Sequence, residues 1–316
     1  MTLPSAASTP SRTSSMPFFD AHNHLHDVSL VAHRGQILTD LAGVGVRGVV
    51  VNGTSESDWG DVATLCARSF VTRIDGNETA VSFYPSFGLH PWDAGNRTPD
   101  WEQLLILRLD AHPSAGIGEI GLDRWMLDRA RIDDPRLNGL RRAPLQEQIE
   151  VFRRQLSLAA ERNLPASIHC LDAFGALYDV LCSNPRPRRG FLLHAYSGSA
   201  ELARSFEKLG AYFSFNGAFL DPRKAKLRAL YADLPAERLL VETDAPAMPL
   251  PLPEADSAQD LAARVFSLPI GPDGAVLNHP ANIARTYSAL AALRGIDVCT
   301  LTKQVAENFQ RLFGPE

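Results

Sequence analysis

The chain has 316 residues, 45% of them hydrophobic and 21% charged, with Gly and Pro at 22 each. That balance fits a soluble globular protein of two average domains or one barrel of about 250 residues, and it excludes collagen-like and broadly disordered chains. A formal net charge of −5 argues against a passive nucleic-acid coat held by charge alone, though not against an enzyme that meets phosphate with metal ions.

Residues 1–16 (MTLPSAASTPSRTSSM) are rich in Ser, Thr, Ala and Pro and read as a disordered tail, with one folded unit over 17–316. The tail lacks the apolar stretch of a secretory signal, its single Arg is thin support for a transit peptide, and Met16 is an alternative start. No apolar run approaches about 18 residues, so no membrane span is expected. The four cysteines (Cys66, Cys170, Cys182, Cys299) are scattered without a C-x-x-C, which reads as a reducing, cytoplasmic setting.

From Phe18 onward short apolar runs alternate with longer amphipathic stretches. Strands are predicted at 18–25, 46–53, 81–89, 115–122, 165–171, 190–196, 211–217 and 238–244. The clearest helix is 145–162, where Leu145, Ile149, Phe152, Leu156 and Ala159 recur at helical spacing. Two more, near 281–293 and 298–312, close the chain. This alternation predicts an α/β fold, a (β/α)8 TIM barrel forming a single domain with extended loops on the catalytic face. The run Gly43-Val-Gly45-Val-Arg-Gly48 has dinucleotide-binding spacing, but it leads into a strand rather than from a strand into a helix.

Taken in chain order, the predicted strand ends carry His22 and His24, Glu119, His169, His194 and Asp244. In a barrel those ends open onto one face, and residues two apart in a strand point to the same side. Any one of these residues has an ordinary structural explanation; four imidazoles and two carboxylates at the same relative position point to a metal site. Imidazole with carboxylate suits Zn, Mn, Fe or Ni, and a carboxylate-and-water site suits Mg. Six ligands exceed the needs of one tetrahedral ion, so two divalent ions (Mg, Mn or Zn) about 3.5–4 Å apart are expected, with Glu119 between them. Such a pair lowers the pKa of water, and Asp244 is placed to hold one ion while taking the nucleophile's proton. The chain has no G-x-S-x-G, no H-E-x-x-H and no Walker lysine motif. A glycosidase built on two carboxylates would leave the four histidines without a task.

The blocks DAHNHL (20–25), FGLHPW (87–92), GEIGLD (118–123), SIHC (167–170), HAYSGS (194–199), FSFNG (213–217), LLVETDAP (239–246), NHPANI (278–283) and AENFQRLFG (306–314) follow one another in this order. Together they resemble the TatD family of metal-dependent deoxyribonucleases, a branch of the amidohydrolase-like barrels. The resemblance implies that His22, His24, Glu119, His169, His194 and Asp244 bind the metals, that Glu119 bridges them, and that His90 lies near the scissile phosphate as a substrate contact rather than a ligand. It implies hydrolysis of DNA phosphodiesters, often from a 3′ end, with Mg2+ commonly supporting activity. Some such enzymes are linked instead to ester bonds such as D-aminoacyl-tRNA, so an ester or amide hydrolase is the alternative. A catalytically silent metal-binding scaffold is the alternative from another class, and the intact ligand set speaks against it. DNA is then the expected partner, as substrate, with no obligate protein partner evident.

Two departures from the family pattern bear on substrate. The family often carries an Arg two residues after the fifth-strand His, where this chain has Leu171. The connection 124–144 is long, and it sets Arg124, Arg129, Arg131, Arg136, Arg141 and Arg142 against Asp128, Asp133 and Asp134. Two readings of it stand side by side: Arg141 and Arg142 supply phosphate contacts in place of the missing Arg, or the loop is solvated and its charges pair internally. Trp92, Trp125 and Phe219 fit either base stacking or rim packing, and the Pro-rich excursion over 246–274 is either a lid or a spacer.

Overall fold

The structure, a computed structural model, describes residues 17–251, 265–271 and 274–315. The expected tail over 1–16 and much of the excursion after the eighth predicted strand lie outside these residues. No helix among them is long and apolar enough to cross a membrane.

Nine strands are formed: β1 (Phe18–Asn23), β2 (Val46–Asn52), β3 (Phe70–Ile74), β4 (Asn77–Ser86), β5 (Ile117–Asp123), β6 (Ala166–Leu171), β7 (Phe191–Leu193), β8 (Ala211–Asn216) and β9 (Leu239–Glu242). The helices are α1 (Arg34–Val44), α2 (Trp59–Cys66), α3 (Trp101–Ala111), α4 (Trp125–Asp128), α5 (Leu145–Arg162), α6 (Phe174–Ser183), α7 (Ala200–Lys208), α8 (Ala225–Asp233), α9 (Ile283–Arg294) and α10 (Val298–Phe313). All strands but β3 pair in parallel, in the orders β1-β2-β4 and β5-β6-β7-β8-β9. Their residues are buried on both faces, as β5 and β8 show throughout their length, which is what helices packed outside a parallel barrel require.

Backbone hydrogen bonds join the two sheets at both seams. Between β4 and β5, Gly116 N donates to Pro85 O (2.9 Å) and Gly118 N to Phe87 O (3.1 Å). Between β9 and β1, Asp244 N donates to His22 O (2.9 Å) and His24 N to Ala245 O (2.8 Å). The second seam is therefore made by three of the expected metal ligands' own backbones.

The sequence reading placed a single strand over 81–89, and the structure differs. A hairpin forms there instead: β3 runs antiparallel to β4 and turns at Asp75-Gly76, both with positive φ (50° and 78°). Such a turn matches the right-handed twist of the paired strands, and Asp-Gly between β-branched runs is its usual signature. That signal was present in the sequence. The helix predicted over 145–162 forms as α5 with those bounds and ends at Asn163 in the left-handed conformation. At the end of the chain α10 buries Phe309 against Phe19 of β1 (ring centroids 4.6 Å) and Tyr84 of β4 (5.1 Å).

Candidate metal centre

β5 carries the central residue. Its register against β6 shifts between Ile117 and Ile120, and Glu119 N donates across the ring to Gly53 O (2.8 Å). The preceding Gly118 admits no side chain, since a Cβ there would lie 2.7 Å from Ser167 Cβ and 2.8 Å from Ser86 Oγ. Gly121, at φ 146°, would place a Cβ 2.0 Å from His169 O. Glycine at these two positions lets β5 approach its neighbours closely enough for Glu119 to stand among the histidines.

Each oxygen of Glu119 faces its own group of imidazoles. Oε2 lies 3.3 Å from Nε2 of His22 and 3.3 Å from Nε2 of His24. Oε1 lies 2.8 Å from His194 Nε2, 3.0 Å from His169 Nδ1 and 3.4 Å from His90 Nε2. Asp244 Oδ1 closes the first group at 3.6 Å from His22 Nε2 and 3.4 Å from His24 Nε2. Asp244 itself adopts φ 54°, a conformation costly for a non-glycine residue and one that recurs at functional sites.

The groups behind the ring fix which nitrogen carries the proton at His24 and His169, as assigned from their partners. Nδ1 of His24 contacts Asn52 O (2.8 Å), and Nε2 of His169 contacts Asp123 Oδ2 (3.1 Å). Both partners can only accept, so the inward nitrogen keeps its lone pair for an ion. Nδ1 of His22 meets Ser167 Oγ at 2.8 Å, and Nδ1 of His194 faces Glu242 Oε1 at 3.7 Å. His90 is the reverse case. Trp92 N donates to His90 Nδ1 (3.2 Å), so the proton sits on Nε2 and His90 presents an N–H to the centre.

Charge follows from burial and neighbours. Burial opposes charge on Glu119, yet His194, His90 and His22 outweigh it and hold its carboxyl well below the usual range. Asp244 is lowered against the same opposition by its contact with His24 and by His194 and His22. Burial lowers the pKa of His22 and of His90, against the opposing pull of Glu119. Asp93, on the same wall, is pushed up to about 7 by burial and by Asp58, Glu56 and Glu119.

These residues fit divalent ions. His22 Nε2 is shut off from solvent and forms no hydrogen bond among the described residues, although two carboxylate oxygens stand close by. The sets His22/His24/Glu119, His22/His194/Asp244 and His90/Glu119/His169 each bring their ligand atoms within 4.8 Å of one another. Glu119 occurs in two of them and His22 in two.

The centre lies in a pocket of about 510 Å³ whose walls include Trp92, Leu171, Phe219, Lys224, Leu227 and Met248. Arg141 and Arg142 do not line it. Arg141 forms a two-pronged pair with Glu147 (3.0 and 2.6 Å) and donates through Nε to Gly95 O (2.8 Å). Arg142 donates to the carbonyls of Met126 and Ala130 (3.0 Å each) and Arg131. Arg131 and Arg136 pair with Asp133 and Asp134, so the loop's charges are matched within the protein. Of the aromatics, Phe219 is buried against Phe215 and Tyr231, while Trp92 donates to Asp123 Oδ2 (2.6 Å) and stacks near Trp125. The supporting residues Asp123, Ser167, Asn52 and Glu242 and the pocket residue Lys224 had been given no role from the sequence. Asp123 closes the GEIGLD block, Ser167 opens SIHC and Glu242 lies within LLVETDAP, and those positions were the available hints.

The model of the family described as TatD related DNase matches residues 19–314. The chain belongs to that family. It is 28% identical over 298 residues to the Escherichia coli K12 protein named 3′-5′ ssDNA/RNA exonuclease TatD, covering 94% of this chain and 98% of that one. It is 31% identical over 231 residues to the uncharacterized metal-dependent hydrolase YabD of Bacillus subtilis, covering 72% and 80%. Among solved structures, YjjV, a TatD homolog from E. coli K12, superposes with a TM-score of 0.73 at 26% identity over 95% of this chain and 98% of that chain. As a TatD-family protein the chain is a metal-dependent hydrolase.

Proposed function

We propose that this TatD-family chain is a divalent-metal-dependent exonuclease that removes nucleotides from the 3′ end of single-stranded DNA. The observation that carries the reading is Glu119, a buried carboxylate with imidazoles gathered at each of its two oxygens. In this reading His22, His24, Glu119, His169, His194 and Asp244 would hold divalent ions, which when bound would supply Lewis acidity and screen the phosphate's charge. Asp244 accepts the proton of the attacking water. His90, protonated on Nε2, donates to a phosphate oxygen and so orients the scissile group. The 3′ polarity and the single-stranded substrate are carried over from the exonuclease relatives. A cytoplasmic location is proposed from the four scattered cysteines, which carry no C-x-x-C. The apolar wall of Leu171, Leu227 and Met248 favours one second reading, hydrolysis of an aminoacyl ester by the same centre.

The test is degradation of end-labelled oligonucleotides in Mg2+, Mn2+ or EDTA, beside Glu119→Ala. A 5′-labelled strand is expected to give a shortening ladder that needs metal and disappears in the variant. Folded, metal-loaded protein that leaves DNA intact but deacylates D-aminoacyl-tRNA would overturn the nuclease reading in favour of the ester hydrolase.

A further inference from the structure

Within the pocket that holds the metal centre, the cationic side chain on the wall among the described residues is Lys224. It stands at the end of the short turns that follow β8, immediately before α8. Those turns are rigidly held. Arg228, from α8, donates to Phe219 O (3.0 Å) and also to Asp221 O, while Asp221 accepts from the backbone of Arg223 (2.9 Å). The Asp221 carboxylate is occupied by the Arg223 guanidinium (2.6 Å), and among the described residues the neighbouring ammonium forms no ion pair with a carboxylate. Lys224 Nζ instead lies 5.3 Å from the centroid of the Phe219 ring. A ring face is a weak partner for an ammonium already stripped of part of its water. Partial burial lowers the Lys224 pKa, in keeping with that loss of solvation.

The rest of the pocket lining gives the complementary observation. Leu171 lines the pocket, and its apolar side chain offers an anion nothing. Arg141 and Arg142, the cations that might have compensated, are bound to Glu147 and to backbone carbonyls away from the pocket. A polyanionic substrate entering this pocket therefore meets fixed positive charge at Lys224 and at the metal centre.

Resting on the nuclease reading above, we infer that Lys224 is the substrate-binding residue that grips a backbone phosphate of the nucleic-acid strand, in a pocket shared with the metal centre where Leu171 provides no cation. Phe219 and Arg228 act on it from behind: the ring supports the lysine stem, and the guanidinium holds the turn that aims it.

The test uses full-length, Mn2+-loaded enzyme and a short fluorescent phosphorothioate oligonucleotide that resists cleavage, with binding followed by anisotropy across a range of salt. Lys224→Met keeps the apolar stem over Phe219 and removes the charge; it is expected to weaken binding about tenfold at low salt. The slope of log affinity against log salt should flatten by about 0.7, the value for one phosphate contact on a single strand. Lys224→Arg should restore most of both. Lys226→Met, at the exposed cation two residues on, removes the same charge outside the pocket and should leave the slope as in the parent. An unchanged slope and affinity in Lys224→Met, or equal losses in Lys226→Met, would overturn the inference. Wild-type protein that binds the oligonucleotide but leaves an unmodified strand uncut would count against the nuclease reading alone, since Lys224 is judged by binding.

Discussion

Asp123 stands one layer behind His169, where its Oδ2 takes the Nε2 proton at 3.1 Å and its Oδ1 accepts from Met126 N at 2.8 Å. Trp92 adds a third donor at 2.6 Å. These contacts fix both the ring orientation and the tautomer of His169, so that Nδ1 turns toward Glu119 with its lone pair. Removing the charge while keeping the shape should loosen that control. Asp123→Asn is expected to lower Mn2+ affinity by about 10–100-fold, the usual cost of losing a partner behind a metal-bound histidine. Isothermal titration of the variant beside the parent measures it. Equal affinity in both would mean that His169 is oriented by packing instead.

At the scale of elements, the loop after β5 is braced where phosphate contacts had been expected. Glu147, in the first turn of α5, joins two parts of the chain: Arg141 from the loop and Arg97 from the connection before α3. The Arg141 and Arg97 guanidiniums hold the Glu147 carboxyl down at about 2, against an ordinary value of 4.5. A carboxyl whose folded pKa is depressed contributes stability above its unfolded pKa and loses that contribution as pH falls toward the folded value. The stability difference between the parent and Glu147→Gln, measured by urea unfolding, should therefore be present at pH 7 and shrink between pH 4.5 and 2. A difference that stays constant over that interval would show that these pairs contribute little, as exposed ion pairs often do. The same bracing explains why Arg141 and Arg142 were misplaced from sequence. Glu147 pairs with Arg141 six residues before it and with Arg97 fifty residues before it, and the carbonyls that hold Arg142 have no side-chain signature at all. The Asp75-Gly76 hairpin was a different kind of miss, because there the turn residues were legible and only the strand after them was read.

Across the whole molecule, what sequence made visible was whatever repeats with the backbone. Apolar runs of strand length and the 3.6-residue spacing of α5 report burial directly, so the eight parallel strands of the ring and the closing helices could be placed in chain order. The candidate ligands were legible for the same reason, since a parallel barrel brings every strand's C-terminal end to one face. Contacts across that ring were not legible. Ser167 behind His22, Glu242 behind His194 and the turn that aims Lys224 each depend on which strands become neighbours. His90 lay between the two cases: the GLHP block marked it, but only Trp92 N at its Nδ1 distinguishes a donor from a metal ligand.

Glu119, with imidazoles at both of its oxygens, is placed to join two ions in one buried centre, and the most direct measurement is the number of ions each folded chain retains. Native mass spectrometry of Mn2+-loaded protein should find two per chain in the parent and at most one in Glu119→Ala, with DNA hydrolysis lost alongside. Two ions retained by the variant, or none by folded parent protein, would contradict the account.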